Sequence, residues 1–345
     1  MLLLAAVAVL TTAAGVTHYA NTTALVAFAF ATGALAGLAW VVGFATEQVG
    51  EHFGPAVTGV LQSTLGNLPE FFVVIFALRA GQTVVAETSI LGSLFANALL
   101  VLGLVIIAGA RHSGKNLMRF NTRLPNDTVT LLMLASFIIV LLGISVTSSD
   151  HASHHVKAIS IVGAIALHVT YVTWVVPYLR SDNASPGHAS GEKKNSLVLP
   201  IVLLTIAGAG AAFVSDWFVS ALTPTIDRLH ISQAFAGIVI VAIAGNAVEN
   251  VAGIMLAAKG QADLAISVVK NSVAQVAAFL YPALILVSLL FSTPLTFSLA
   301  PIYIGALLLS ALAVWQISGD GEASAFEGVA LIAIYVVLGV ITIYE

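Results

Sequence analysis

The sequence predicts an all-α integral membrane protein, and three observations carry that fold class. Hydrophobic residues make up 59% of the 345 residues and charged ones only 8%, for a mean hydropathy of +1.04. A soluble domain needs far more charge to cover its surface. The apolar residues fall into runs of about 20, the length a helix needs to cross a hydrocarbon core of about 30 Å. Finally, one five-residue pattern occurs inside two of those runs, as expected of a bundle built from two halves. Composition also excludes several classes. Only 12 Lys and Arg and a net charge of −4 argue against nucleic-acid binding. The absence of cysteine rules out disulfides, thiol catalysis and thiolate metal sites.

Eleven transmembrane helices are expected. Leu2–Val16 comes first; it lacks the basic start of a secretory signal and ten more spans follow it, so it reads as a helix. Leu25–Ala45, Ala56–Leu78, Val84–Ala108, Val129–Val146 and Ala158–Tyr178 come next, with polar breaks such as Ser148–His155. Ser181–Ser196, rich in Gly, Ser, Asn and Lys, reads as a flexible linker. Leu197–Leu222, Ala234–Ala258, Leu264–Leu290, Leu299–Gln316 and Gly328–Tyr344 complete the set. The expected organisation is an extra N-terminal helix (1–20), a first five-helix repeat (21–180), a cytoplasmic linker (181–196) and a second, inverted five-helix repeat (197–345).

Orientation follows from the Lys/Arg bias of the loops. With the N-terminus cytoplasmic, inner loops carry Arg111, Lys115, Arg119, Arg123, Arg180, Lys193, Lys194 and Lys259, and outer loops only Arg79, Lys157 and Arg228. That bias predicts an outer C-terminus. Arg111, Lys115, Arg119 and Arg123 recur every fourth residue, a spacing that could make a basic stripe on a helix. Gly114 and Pro125 make the loop a poor helix, so plain topogenic charge is the preferred reading.

The repeat is the informative feature. Gly66-Asn67-Leu68-Pro69-Glu70 returns as Gly245-Asn246-Ala247-Val248-Glu249, an offset of 179 (66 to 245), and the register continues without a gap through Gly81-Gln82 onto Gly260-Gln261 and Ser93 onto Ser272. Five spans separate the copies, so they enter the membrane in opposite directions. Inverted repeats place a substrate site at their interface near the midplane, the architecture of many secondary transporters. A carboxylate at the bilayer centre costs at least about 2.5–3.5 kcal/mol, so Glu70 and Glu249 are candidates for function. Asn and Glu at i and i+3 share a helix face; Asn67 and Asn246 therefore present amide oxygens beside the acids, the kind of ligand Ca²⁺ takes. Gly66 and Gly245 interrupt their helices, and Pro69 suits a new helix start. Ser93 and Asn97 in the next helix, with Ser272 and Gln275 in its counterpart, add polar groups; ordinary interhelical hydrogen bonding is the competing role.

These residues resemble the cation/proton exchanger family, a branch of the calcium:cation antiporter superfamily. Its first repeat reads like Gly-Asn-Ala-Thr-Glu followed by Gly-Ser-x-x-x-Asn-Leu-Leu-Leu-Val-Leu-Gly, matched here by Gly66–Glu70 and Gly92–Gly103. The second is similar to Gly-Asn-Ala-Ala-Glu-His, Asp-Leu-Ala and Ser-x-x-Gln, matched by Gly245–Asn250, Asp263–Ala265 and Ser272–Gln275. The resemblance implies an eleven-helix layout and Ca²⁺/H⁺ exchange, with Glu70 and Glu249 binding the cation beside Asn67 and Asn246. It implies no cofactor. Ca²⁺, or Na⁺ or K⁺, and protons would be substrates, the bilayer the surroundings, and a homo-oligomer stays open. Short loops and absent cysteine suit a prokaryotic plasma membrane.

The chain also departs from the family. Leu68-Pro69 looks more like the superfamily's sodium-coupled members, Asn250 stands where His is usual, Glu87 replaces Gln, Asn271 replaces Gly, and Lys270 stands where an apolar residue is expected. A cation near the pocket would favour a monovalent substrate. Positions 270 and 272 point about 200° apart on a helix, whereas 263 and 270 nearly coincide, so Lys270 is expected to face Asp263 or snorkel to the interface. Glu47 and Asp216, near the ends of their helices, could guide ions, although acids at an interface cost little.

In the expected mechanism a divalent cation neutralises both acids and displaces their protons, and helix movement exposes the site to each face in turn. A Na⁺/H⁺ or K⁺/H⁺ antiporter on the same scaffold is the nearest alternative; a passive channel and an intramembrane enzyme are remote ones. No His-Glu-x-x-His occurs, and His168 lacks a nucleophile partner.

Overall fold

In the computed structural model, residues 2–20, 22–50, 52, 60–61, 64–181 and 197–345 are described, and within them the side chains of Leu2, Glu47, Gly50, Arg123–Pro125, Ser181 and Ala247–Asn250 are not. The 181–196 linker thus falls outside the described residues from position 182 on.

Helices dominate: α1 Leu2–Tyr19, α2 Ala24–Gly50, α3 Leu68–Arg79, α4 Thr83–His112, α5 Arg123–Ser148, α6 Val156–Ser181, α7 Val198–Leu229, α8 Gln233–Gly245, α9 Ala247–Ala258, α10 Ala262–Ser288, α11 Pro301–Ser318 and α12 Ala325–Ile343. Among the described residues eight helices are long and apolar enough to cross a membrane, and Leu3–Tyr19 and Gln233–Gly245 are shorter apolar ones. α4 and α10 are the inner helices: 83% and 78% of their most apolar windows are buried, against 28% for α7 and 33% for α12. Outward faces carry bare Val, Leu, Ile and Phe, as a lipid-facing surface requires.

The two matching stretches repeat in backbone as well as in sequence. Helix is interrupted at Asn67 (φ −83°, ψ 1°) and again at Asn246 (φ −103°, ψ 11°). Each following helix closes on a left-handed glycine, Gly81 at φ +73° and Gly260 at φ +78°. The next amides turn back identically, Gln82 N–H to the Ala77 carbonyl at 2.8 Å and Gln261 N–H to that of Leu256 at 3.0 Å. α4 and α10 each carry a π-helical stretch, Ala96–Val101 and Val276–Leu280, and α8 carries a third at Ala236–Val241.

Loop contacts define the two ends of the bundle. At one end a short antiparallel pair joins β1 Leu117–Arg119 to β2 Glu322–Ser324, and Asn121 N–H donates to Asp263 at 2.6 Å. At the other, Gln82 meets Thr223, and Ser232 donates to the Thr342 carbonyl. α12 runs between these ends, from β2 to Thr342. Consequently α3, which ends beside Gln82, and α9, which ends at Gly260 near Asp263, point in opposite directions. The basic loop after α4 is a turn and strand rather than a helix, as Gly114 (φ +68°) suggested, whereas Pro125, also expected to break a helix, falls with Arg123 in the first turn of α5.

One helix is longer than its composition signals. Hydropathy falls after Leu222, yet α7 continues through Pro224 to Leu229 with Thr225 and Ile226 buried. Asp216 is therefore not near the end of its helix but about 20 Å inside it.

Candidate functional site

The inner helices meet where α4 crosses α8 in backbone contact. A Cβ on Gly92 would lie 2.6 Å from the Ile238 Cα and 2.8 Å from the Gly237 carbonyl oxygen, so only glycine permits this approach. That crossing brings Ser93 of α4 onto Asn246, at the break between α8 and α9. The Asn246 amide donates to the Ser93 hydroxyl at 2.7 Å and to the Ala242 carbonyl at 3.0 Å. One turn on, the Asn97 amide donates to the Ser272 hydroxyl of α10 at 3.0 Å and reaches the Asn246 amide oxygen at 3.5 Å. Ser93, Asn97, Asn246 and Ser272 are each at most 3% exposed. Four expected site residues, two from each half, thus form one buried network.

Gln275, one turn after Ser272, is also buried. Its amide nitrogen lies within hydrogen-bond distance of the Val60 carbonyl (3.2 Å), the Thr64 hydroxyl (3.0 Å) and the Tyr171 hydroxyl (3.0 Å), which share its two N–H donors, while its amide oxygen has no hydrogen-bond partner among the described residues. Tyr171 and Thr64 were not picked out from the sequence. The only signal was a hydroxyl inside an apolar run, and that is common in membrane helices.

The first-repeat pair is buried too, Asn67 at 4% and Glu70 at 3% exposure. Pro69 stands at the start of α3, where its missing N–H costs nothing, and its carbonyl accepts from Ser215 of α7 at 3.4 Å. Glu70 lies in the first turn of α3, where the partial positive charge of a helix start favours a carboxylate. Neither polar atom of the Asn67 amide has a hydrogen-bond partner among the described residues, and buried amides without partners are costly. Such a site holds oxygens ready for an incoming ligand. Glu249 lies in the first turn of α9, but its side chain, like those of Asn250 and Glu47, falls outside the described residues.

Lys270 requires a correction. It neither faces Asp263 nor reaches the interface: it is 1% exposed, and its Nζ donates to the Ser318 hydroxyl of α11 at 2.8 Å. Asp263 is engaged by the Asn121 amide instead. The helical-wheel argument placed Lys270 opposite Ser272, as observed, but could not say which helix covers that face. Glu87 is half-buried and lies within electrostatic reach of Tyr281 and Tyr303, apart from the network. His168 is a packed residue, its ring nitrogen 2.8 Å from the Ala164 carbonyl and its ring edge on Phe279.

Chemically the network offers hard oxygen donors, hydroxyls and amide oxygens, of the kind that Ca²⁺ and similar cations take. Among the described residues no three His, Asp or Glu side chains cluster as a metal site would require.

A family model described as sodium/calcium exchanger protein matches residues 23–178 and 199–344. The chain belongs to that family. Members of the sodium/calcium exchanger family are transporters, and this chain is a membrane transporter rather than an enzyme. The Ca²⁺/H⁺ antiporter ChaA of Bacillus subtilis is 30% identical over 310 residues, covering 88% of each chain. A Ca²⁺/H⁺ antiporter of Synechocystis is 29% identical over 330 residues, again covering 88% of each. Among solved structures, native YfkE superposes with a TM-score of 0.83 at 26% identity, covering 99% of this chain and 100% of that one. The H⁺/Ca²⁺ exchanger CAX shares the fold, with a TM-score of 0.77 at 17% identity over 99% of this chain and 91% of its own.

Proposed function

We propose that this transporter exchanges Ca²⁺ for protons by alternating access at a single midplane site built on Glu70 and Glu249. The observation that carries the reading is the buried network in which Ser93 and Asn97 from one half bond Asn246 and Ser272 from the other. The helices that follow Asn67 and Asn246 run in opposite directions, and both asparagines are buried. Those opposed directions support an inverted pair of five-helix repeats, 21–180 and 197–345, after an extra helix in 1–20, eleven crossings in all. The N-terminus is cytoplasmic and the C-terminus outside, in a prokaryotic plasma membrane.

Asn67, Asn246, Ser93, Asn97, Ser272 and Gln275 supply oxygens around the two acids. Ionised acids are costly in that surrounding, so without a cation they carry protons. A divalent ion balances both charges and displaces those protons. Because both ions contend for the same oxygens, binding of one releases the other, and movement between the halves delivers each to its side. Curated relatives named as Ca²⁺/H⁺ antiporters support the choice of ions.

The test is Ca²⁺-driven proton flux in proteoliposomes. Glu70→Gln and Glu249→Gln each reduce exchange to the level of empty liposomes while leaving the protein folded. Substantial flux in either variant removes that acid from the site. A Na⁺/H⁺ or K⁺/H⁺ exchanger is the second reading, favoured by the buried Lys270, and separate addition of each ion decides between them.

A further inference from the structure

The offset of 179 that sets Ser93 onto Ser272 also sets Gly92 onto Asn271 and Ala96 onto Gln275. The two inner helices therefore differ where each crosses the stretch leading to an asparagine, α4 toward Asn246 and α10 toward Asn67. The first crossing is closed: Gly92 lies against the backbone of Gly237 and Ile238, and Ser93 accepts from Asn246 at 2.7 Å. At the second the matching bond, from Asn67 to Ser272, is not made. Neither polar atom of the Asn67 amide has a partner among the described residues, and Ser272 accepts from Asn97. Where α4 has the small Ala96, the long Gln275 of α10 reaches across to the Val60 carbonyl and the Thr64 hydroxyl. Asn271 is buried, and its amide oxygen makes no hydrogen bond among the described residues, so that oxygen does not tie the crossing together. The atoms that exclude a Cβ at Gly92 all belong to the backbone of α8. A residue other than glycine would meet the same atoms in any crossing of that geometry, whatever side chains the partner carries. Asn271 cannot enter such a crossing.

We propose that Asn271 is a positioning residue: its Cβ holds the second crossing apart, so the transporter rests in the state whose first crossing is closed. This rests on the proposed site and on alternating access. Inverted repeats pass between faces by movement of one half against the other, and in the opposite state the second crossing closes in place of the first. A resting bias leaves the site open to one face and weakens apparent affinity from the other in proportion to the fraction of molecules facing it.

The experiment measures proton flux on adding Ca²⁺ to one face or the other of vesicles of known orientation, which gives a half-saturating Ca²⁺ concentration for each face. Asn271→Gly is expected to narrow the ratio between the faces about tenfold, the size of an overpacking relieved, chiefly by improving the weaker face. Asn271→Ala keeps the wild-type ratio, because a Cβ is enough to hold the crossing apart. An unchanged ratio in Asn271→Gly overturns the proposal, and an equal shift on both faces, which marks damage to the site, is one form of that result. Asn271→Ala narrowing the ratio as much as Asn271→Gly also overturns it, by assigning the effect to the amide. Should Asn271→Gly fail to fold, Gly92→Ala carries the test: a Cβ at the first crossing removes the same bias and narrows the same ratio. Failure of the site itself reads differently: Glu70→Gln then retains flux, whatever the ratio does.

Discussion

Replacing Gly92 by alanine tests whether the crossing of α4 and α8 builds the site. The new Cβ would lie 2.6 Å from the Ile238 Cα, 2.7 Å from its carbonyl oxygen and 2.8 Å from that of Gly237. All three are backbone atoms and cannot rotate aside, so restoring ordinary contact near 3.4 Å requires the helices to part by about 0.8 Å. The neighbouring Asn246–Ser93 hydrogen bond is 2.7 Å long, and the same movement stretches it to about 3.5 Å, the outer limit of such a bond. Overpacking costs about 1–3 kcal/mol, and alanine recovers up to about 1 kcal/mol of helix propensity. The net loss of stability is therefore small, about 0–2 kcal/mol. The lost site bond adds about 1–3 kcal/mol to Ca²⁺ binding, or about 5- to 150-fold in affinity. Thermal unfolding in detergent reads the first quantity and Ca²⁺-dependent proton flux the second. Gly305, with nothing within 4 Å of its added Cβ, is the control. If Gly92→Ala melts and transports like Gly305→Ala, the crossing does not shape the site and the reasoning fails.

Two further predictions concern the network and one exposed turn. Asn246→Ala removes the amide that joins Ser93 to Asn97, so Ca²⁺ affinity drops about 10- to 100-fold and stability falls by about 1–3 kcal/mol for the stranded buried partners; wild-type affinity in the folded variant would detach the network from the site. At Asp150 the Ser145 hydroxyl, with smaller help from the Ala152 and Ser153 amides and His151, holds the exposed carboxyl below its ordinary value of 3.8. A depressed native value contributes stability above the ordinary value and loses it as pH falls through the native one. Asp150→Asn therefore melts below wild type at pH 7, and the gap closes on acidification below about 3.8. A gap independent of pH in that range would assign the effect to lost turn capping alone.

Much of the candidate site was legible because the pattern that marks it is local. A carboxylate and an amide one turn apart, repeated at a fixed offset after a glycine, need no knowledge of packing to be noticed. The meeting of Ser93 with Asn246, and of Asn97 with Ser272, follows from that repeat. Residues whose roles depend on another helix's register were hidden. Tyr171 and Thr64 matter only because Gln275 lies between them, and Lys270 only through Ser318. The π-helical stretches also escaped notice, because each adds a residue to a turn and shifts the helical phase without altering composition. Strands of three residues, β1 and β2, carry too little pattern to read. The extent of α7 was misjudged for a different reason: polarity reports where water begins, not where a helix stops.

The small sheet that pairs Leu117–Arg119 with Glu322–Ser324 has a bearing on biogenesis. Its strands are about two hundred residues apart, and a chain emerging from the ribosome orders its N-terminal part first. The segment after α4 must therefore wait, with its edge unpaired, while most of the remaining polypeptide is synthesised. Closure of that end therefore waits on synthesis through Ser324, and premature termination just before Ala323 would leave the earlier strand without a mate.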